Sequence, residues 1–264
     1  MRWYCLSEII VSVFRREALP GLFSAVGLLL VWKAVSLFFL PTFLPSPVEL
    51  VGRIASLFSA ASAYLVLLKT LERVFIGLIL AMLFGSSLGL MMGLRRSVGS
   101  FFDGWVMVLL TFPSISWAFL AVLWFGLSDI APIFTIVLIV LPYVAMNIWE
   151  GTKALDKELT DMATAFRARR LLVLRRVLIP QLMPYLFASL RISFALAWKI
   201  ALVSEAFGAT RGVGKELMYW FQGTRVDMML AWGASFMLLM VAIDVLILQR
   251  WEKRVFSWRP ALTA

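Results

Sequence analysis

The 264-residue chain has no histidine and a single cysteine, Cys5. The first absence removes histidine metal sites and histidine general bases. The second removes an intrachain disulfide. Charge is also scarce, with Asp, Glu, Lys and Arg at 15% against about 25% in a soluble domain. There is no Gly-x-x-x-x-Gly-Lys-Ser/Thr loop, so the chain cannot cradle nucleotide phosphates in the usual way. Neither a basic soluble face nor a nucleic-acid recognition motif is present, which argues against a nucleic-acid partner.

What fills the chain is apolar. Hydrophobic residues reach 62% and the mean hydropathy is +0.93. Uncharged runs cover Val74 to Leu94, Gly104 to Ser128 and Ile130 to Trp149, each near the roughly 20 residues a helix needs to cross about 30 Å of hydrocarbon. Three further runs tolerate a few charges: Gly21 to Leu40 with Lys33, Val177 to Ser204 with Arg191 and Lys199, and Asp227 to Leu248 with Asp244. The expectation is an all-α membrane protein with six transmembrane helices over residues 21–250. Residues 1–20 then form an N-terminal segment at the inner face, and 251–264 a short C-terminal tail. Glu8, Arg15, Arg16 and Glu17 do not suit a cleaved signal peptide.

Basic residues near span ends are retained in the cytoplasm. With both termini inside, sixteen of the 25 Lys and Arg lie on the inner side, within 2–16, 95–96, 153–176 and 250–259. Five lie outside: Arg53, Lys69, Arg211, Lys215 and Arg225. The net charge of +10 is therefore mainly a topology signal, with attraction to anionic membrane lipids as a secondary effect.

Local features sharpen this outline. Ser46-Pro47 with Glu49 reads as a capping box opening a helix, whose Val51, Ile54, Ala55 and Phe58 recur at helical spacing. That helix either lies along the outer interface or packs across the bundle. Gly77, Ala81, Gly85, Gly89 and Gly93 place a small residue at every fourth position, a face for close helix contact. Pro113, in Thr111-Phe112-Pro113-Ser114-Ile115-Ser116-Trp117, breaks the third span. The break, with Ser114 and Ser116, is either a polar element facing a central cavity or a structural kink.

Between the fourth and fifth spans, Leu155, Leu159, Met162, Ala163 and Phe166 form one apolar stripe of a helix from Lys153 to Phe166. Its other faces are charged. The stripe packs on span ends, rests in headgroups or docks into a partner. An arginine-rich junction, Arg167 to Arg176, follows. In the fifth span Arg191 and Glu205 are 14 residues apart, about 40° from alignment, and are expected to share a face. Either these charges are structural or Arg191 and Lys199 help an anion cross.

Asp161-Met162-Ala163, three residues, Arg167, nine residues and Val177-Leu178-Ile179-Pro180 resemble the Glu-Ala-Ala, Gly, Ile-x-Leu-Pro loop of membrane subunits of bacterial ATP-binding-cassette importers. The spacing is kept in full; Met162 and Arg167 depart, and arginine in the glycine position leads us to expect a different junction after the helix. Further matches resemble the nitrate, sulfonate and taurine subfamily: Leu44-Pro45-Ser46-Pro47, Trp124-Phe125-Gly126, Leu190-Arg191, Ala197-Trp198 leading to Glu205, Thr210-Arg211-Gly212-Val213-Gly214 and Trp258-Arg259. Ser189 stands where that subfamily usually has glycine.

The resemblance implies a type I ABC importer permease in the bacterial inner membrane, forming the path for a small solute such as a sulfonate, taurine or nitrate. It implies two copies of an ABC ATPase that use ATP and Mg, a second permease copy, and a periplasmic or lipid-anchored solute-binding protein. No cofactor or catalytic role is expected in this chain. Residues expected to couple to the ATPase are Leu155, Leu159, Asp161, Met162, Ala163, Phe166, Arg167 and Pro180. Those expected along the path are Pro113, Ser114, Ser116, Arg191, Lys199 and Glu205. The rival readings are a self-contained secondary carrier or channel, and a membrane-embedded enzyme; the second is disfavoured by the missing histidine and carboxylate pair.

Overall fold

In a computed structural model the described residues run from 23 to 255. The N-terminal segment 1–20 with Cys5, and Trp258-Arg259, lie outside them. The helices, in chain order, are α1 (Phe23–Ser36), α2 (Pro47–Phe58), α3 (Ala61–Leu94), α4 (Arg96–Thr111), α5 (Ser114–Phe125), α6 (Ile130–Lys153), α7 (Lys157–Ala165), α8 (Arg170–Val173), α9 (Ile179–Gly208), α10 (Val213–Gln222), α11 (Val226–Ile243) and α12 (Gln249–Val255). Two π-helical turns, Leu174–Leu178 and Asp244–Leu248, join α8 to α9 and α11 to α12.

Among the described residues four continuous helices are long and apolar enough to cross a membrane: Ala61–Leu94, Ile130–Lys153, Leu171–Gly208 and Val226–Val255. The break expected at Pro113 is present: the third span is α4 and α5, which meet at a 95° bend. Pro113, lacking an amide proton, sits at the break, and Gly126 closes α5 with φ 66°. Of the expected first span the described residues contain only α1, short of the roughly 20 residues that hydrocarbon requires.

The expected second span starts too late. The α3 helix begins at Ala61 and carries Lys69, Glu72 and Arg73 inside it. Their charges were read as a boundary, yet pairing lets the helix run through them. The fifth span likewise extends backwards: the arginine junction is helical from Arg170, and Leu171–Gly208 is a single 38-residue helix. Pro180 therefore lies within a continuous helix. The π turn before it lets Ile179 N–H reach the Leu174 carbonyl, one residue further back than an α-turn.

The small-residue face of α3 packs within the chain, along α6. A Cβ added to Gly77 would meet Ile136 at 2.7 Å, one on Gly85 would meet Val144 at 2.7 Å, and one on Gly89 would meet Ile148 at 2.9 Å. The partners advance together, so α3 and α6 run in the same direction with backbones in close approach. On the other side α6 packs against α9. Val74, Leu78, Ala81, Ile136, Val140, Val144, Phe194, Ala197, Ala201 and Phe236 form the common core.

The capping box at Ser46 forms as expected: Ser46 N–H donates to Glu49 Oε2 at 2.7 Å and Glu49 N–H to Ser46 Oγ at 3.4 Å. The packed stripe of α2 is shifted from the expected one. Leu57 is buried, and Leu50 and Ile54 pack on the core against α11, whereas Val51 is 65% exposed. Asp227, at the start of α11, ties α11 to α2 through Arg53 (3.1 Å) and also pairs locally with Arg225 (2.9 Å).

Candidate functional site

Polar function gathers at three places along this bundle. At the end where α6 terminates, Asp156 Oδ1 accepts the Glu158 amide at 2.8 Å and so caps α7. The Asp156 amide in turn donates to Gln181 Oε1 at 2.8 Å, tying the turn to α9. The helix is shorter than expected: Lys153 ends α6, and Leu155 lies in the turn before α7. Ala163 is buried against the chain, but Leu159, Met162 and Phe166 are exposed, Phe166 to 80%. Asp161 is exposed as well.

Arg167 overturns the expectation of a different junction. Its φ of 50° is the left-handed conformation a glycine would adopt. The Ala168 amide donates to the Ala163 carbonyl at 3.0 Å, the long-range bond of a Schellman cap. A tight left-handed turn is thus formed here with a residue less favourable than glycine.

At the opposite end, Thr70, Arg73, Asp129, Glu205 and the 211–214 turn form one network. Arg73 and Glu205 are 1% and 0% exposed, and Arg73 Nη1 donates to Glu205 Oε1 at 2.5 Å and to the Arg211 carbonyl at 2.6 Å. Arg73 also pairs with Asp129, and Lys69 Nζ lies 2.9 Å from Asp129 Oδ2. The Lys69 hydrogen bond, and then that of Arg73, hold the Asp129 carboxyl below the usual aspartate range. Glu205 Oε2 accepts from Thr70 Oγ1 at 2.8 Å and from the Gly214 amide at 3.0 Å. Gly212 has φ 138° and its missing Cβ would fall on the Glu205 carboxylate, so only glycine fits there.

This network places Glu205 inside the protein rather than on an open path, and it separates Glu205 from Arg191. On the continuous α9 helix the two residues still lie about 40° apart, but the neighbours of α9 change along its length, so they do not meet. Arg191 is exposed and pairs with Glu252 of α12 at 3.3 Å, while Glu205 turns towards α3. Arg191 and Glu252 border, with Asp244, a mainly apolar groove of about 760 Å³ between α9 and the last long helix. Asp129, Lys69 and Thr70 belong to the network but were missed from sequence; the buried Arg73, at the edge of an apolar run, was the one available signal.

Midway along the bundle, Ser114 and Lys199 come together, lining a cavity of about 150 Å³ with Ala118, Thr135, Ile200 and Val203. Pro113 is exposed at the break beside it, and Ser116 is half-buried one turn into α5. Among the described residues no three His, Cys, Asp or Glu side chains group to hold a metal ion.

The family model for the binding-protein-dependent transport system inner membrane component matches residues 74–255. The taurine transport system permease protein TauC of Escherichia coli is 28% identical over 238 residues, covering 88% of this chain and 86% of its own. The putative aliphatic sulfonates transport permease protein SsuC of Bacillus subtilis is 24% identical, covering 83% and 79%. The nitrate import permease protein NrtB of Synechococcus elongatus is 26% identical, covering 70% of each. A chain of the inward-facing MetNI methionine ABC transporter superposes with a TM-score of 0.60 at 18% identity, covering 71% of this chain and 93% of that one; it shares the fold. With its bundle of long apolar helices and a match over most of its length, the chain belongs to the family of inner membrane components of binding-protein-dependent transport systems.

Proposed function

We propose that the chain is the permease subunit of an ATP-driven importer and forms the path for a small anion such as a sulfonate, taurine or nitrate. Its relatives of similar length act on these solutes. The observation that carries the coupling half of this reading is α7. Leu159, Met162 and Phe166 project from α7 and its C-terminal turn, held by the Asp156 cap and the Arg167 turn, and nothing among the described residues covers them. An uncovered apolar stripe on a rigidly held short helix suits insertion into a partner's groove. The partner would be an ABC ATPase, two copies serving two permease subunits, with ATP and Mg bound there. A separate solute-binding protein would deliver the anion from outside.

In this arrangement α7 faces the cytoplasm with both termini, the chain crosses the bacterial inner membrane six times with α1 in the first crossing, and a second permease copy completes the path. Pro113, Ser114, Ser116 and Lys199 border the path. The α9 helix, bonded to the α7 turn through Gln181, passes movement of α7 into the membrane. The test is co-expression with candidate ABC ATPases from the same genome, followed by purification and by uptake of labelled taurine, methanesulfonate and nitrate. Co-purification and ATP-dependent uptake are expected; uptake without any ATPase would replace the reading with a secondary carrier.

A further inference from the structure

The cavity of about 150 Å³ at the Pro113 break is lined by one cation and no carboxylate. Of its six lining residues, Ala118, Ile200 and Val203 are apolar. Thr135 is already engaged: its hydroxyl donates to the Ala131 carbonyl at 2.8 Å and accepts from Ser204 at 3.1 Å. That leaves the Lys199 ammonium and the Ser114 hydroxyl as the polar groups available to an occupant.

Lys199 differs from Arg73 and Arg191, the other cations well inside the long helices. Arg73 has Glu205 and Asp129, and Arg191 has Glu252. No carboxylate of the described residues pairs with Lys199; its ammonium lies 5.6 Å from the Trp198 ring. It is also deep, about 14 Å along the helix from Gly208 at about 1.5 Å per residue, beyond the reach of its own side chain to that end. Lys199 and Ser114 are exposed on the chain's surface, so in the membrane they face hydrocarbon or a neighbouring subunit; an unbalanced cation at that depth is costly, and a bound anion relieves that cost.

The geometry points to this cavity as an anion-binding station for the oxyanion end of a small solute, a sulfonate or nitrate group. Lys199 is the counter-ion, Ser114 a second donor, and Ala118, Ile200 and Val203 the apolar wall. At about 30 Å³ for each water-sized group, the cavity admits roughly five such groups, a sulfonate or nitrate but not a bulky sugar acid. The station rests on the permease reading and narrows it to one residue pair.

The test is a melting titration of the full-length detergent-solubilised chain with sodium nitrate and sodium methanesulfonate, against sodium gluconate at equal ionic strength. A ligand that binds the folded state raises the melting temperature saturably. Nitrate or methanesulfonate should do so in the wild type and in Lys199→Arg, with gluconate inert. Lys199→Met should abolish the response, and Ser114→Ala should move its midpoint several-fold to higher concentration. Absence of a saturable response in the wild type, or an unchanged one in Lys199→Met, would overturn the station. Co-purification of the same variants with the ATPase separates the two ideas. A failed titration with the ATPase retained removes only the station; a lost ATPase with the titration intact removes only the permease reading.

Discussion

Arg73 and Glu205, 132 residues apart in sequence, meet through a 2.5 Å contact from which water is excluded. The pair ties α3 to α9 at the end of the bundle remote from α7, and through Asp129 and the Arg211 carbonyl it also holds the start of α6 and the turn into α10. Such a junction makes the ends of three long helices move as one body. Its value lies in completeness: each charge is expensive once the other is missing.

Glu205→Leu should therefore destabilise the detergent-solubilised protein by about 3–5 kcal/mol, and Arg73→Met by a similar amount. The double variant should lose much less than the sum, because it leaves no buried charge behind. Melting curves of the three variants check this; additive losses would show that the pair is not energetically coupled.

Asp129 gives the network a pH dependence. Lys69 and then Arg73 depress its carboxyl below the ordinary value, so the folded state binds that proton more weakly than the unfolded state. The contribution is fully present above the unfolded value of about 3.9 and is lost as pH falls towards the lower folded value. Melting temperature measured from pH 7 downwards should show this acid loss in the wild type. Asp129→Asn should begin from a lower melting temperature and lack that component.

That α3 carries a close-packing face was readable in the sequence; that α6 of the same chain covers it, rather than a second subunit, was not. Small residues every fourth position announce a close packing face, and Gly77, Gly85 and Gly89 meet α6 as that pattern requires. The Ser46 cap was readable for the same reason: its interactions are local. The Arg73 network was not, because its partners come from three distant segments, and a charge beside an apolar run looks like a span boundary until its counter-charge is known. The same ambiguity cut α3 short and separated the helical arginine junction from α9.

Enlarging that packing face tests it directly. In Gly85→Leu the side chain must enter space held by Val144 and the Leu141 carbonyl. Backbone cannot retreat as a flexible side chain can, so overpacking should cost at least the usual 1–3 kcal/mol. Gly52→Ala, where a Cβ meets nothing within 4 Å, is the control and should melt close to wild type.

The proposed docking helix is open to a surface test. Phe166→Asp replaces an 80% exposed ring, so the fold loses little, typically under about 0.5 kcal/mol for an exposed site. Docking into an apolar groove should nevertheless be abolished, since the carboxylate would be desolvated there. The expected outcome is normal membrane insertion and melting with loss of ATPase co-purification and of uptake. Ala163→Arg should also fail to dock, but with a melting defect, because Ala163 is buried against the chain.

Arg167 separates the shape of the turn from the identity of its residue. A non-glycine residue in the left-handed region costs roughly 1–2 kcal/mol, and Arg167 holds φ 50° without being glycine. Arg167→Gly should relieve part of that cost, offset by the greater freedom of glycine in the unfolded chain. Because the Ala168 to Ala163 hydrogen bond survives the change, α7 should keep its orientation and the variant should still couple. Hydrogen exchange at Ala168 reports the cap: slower exchange is expected in the glycine variant. Faster exchange there, with uptake reduced, would instead mean that the arginine side chain itself secures the turn.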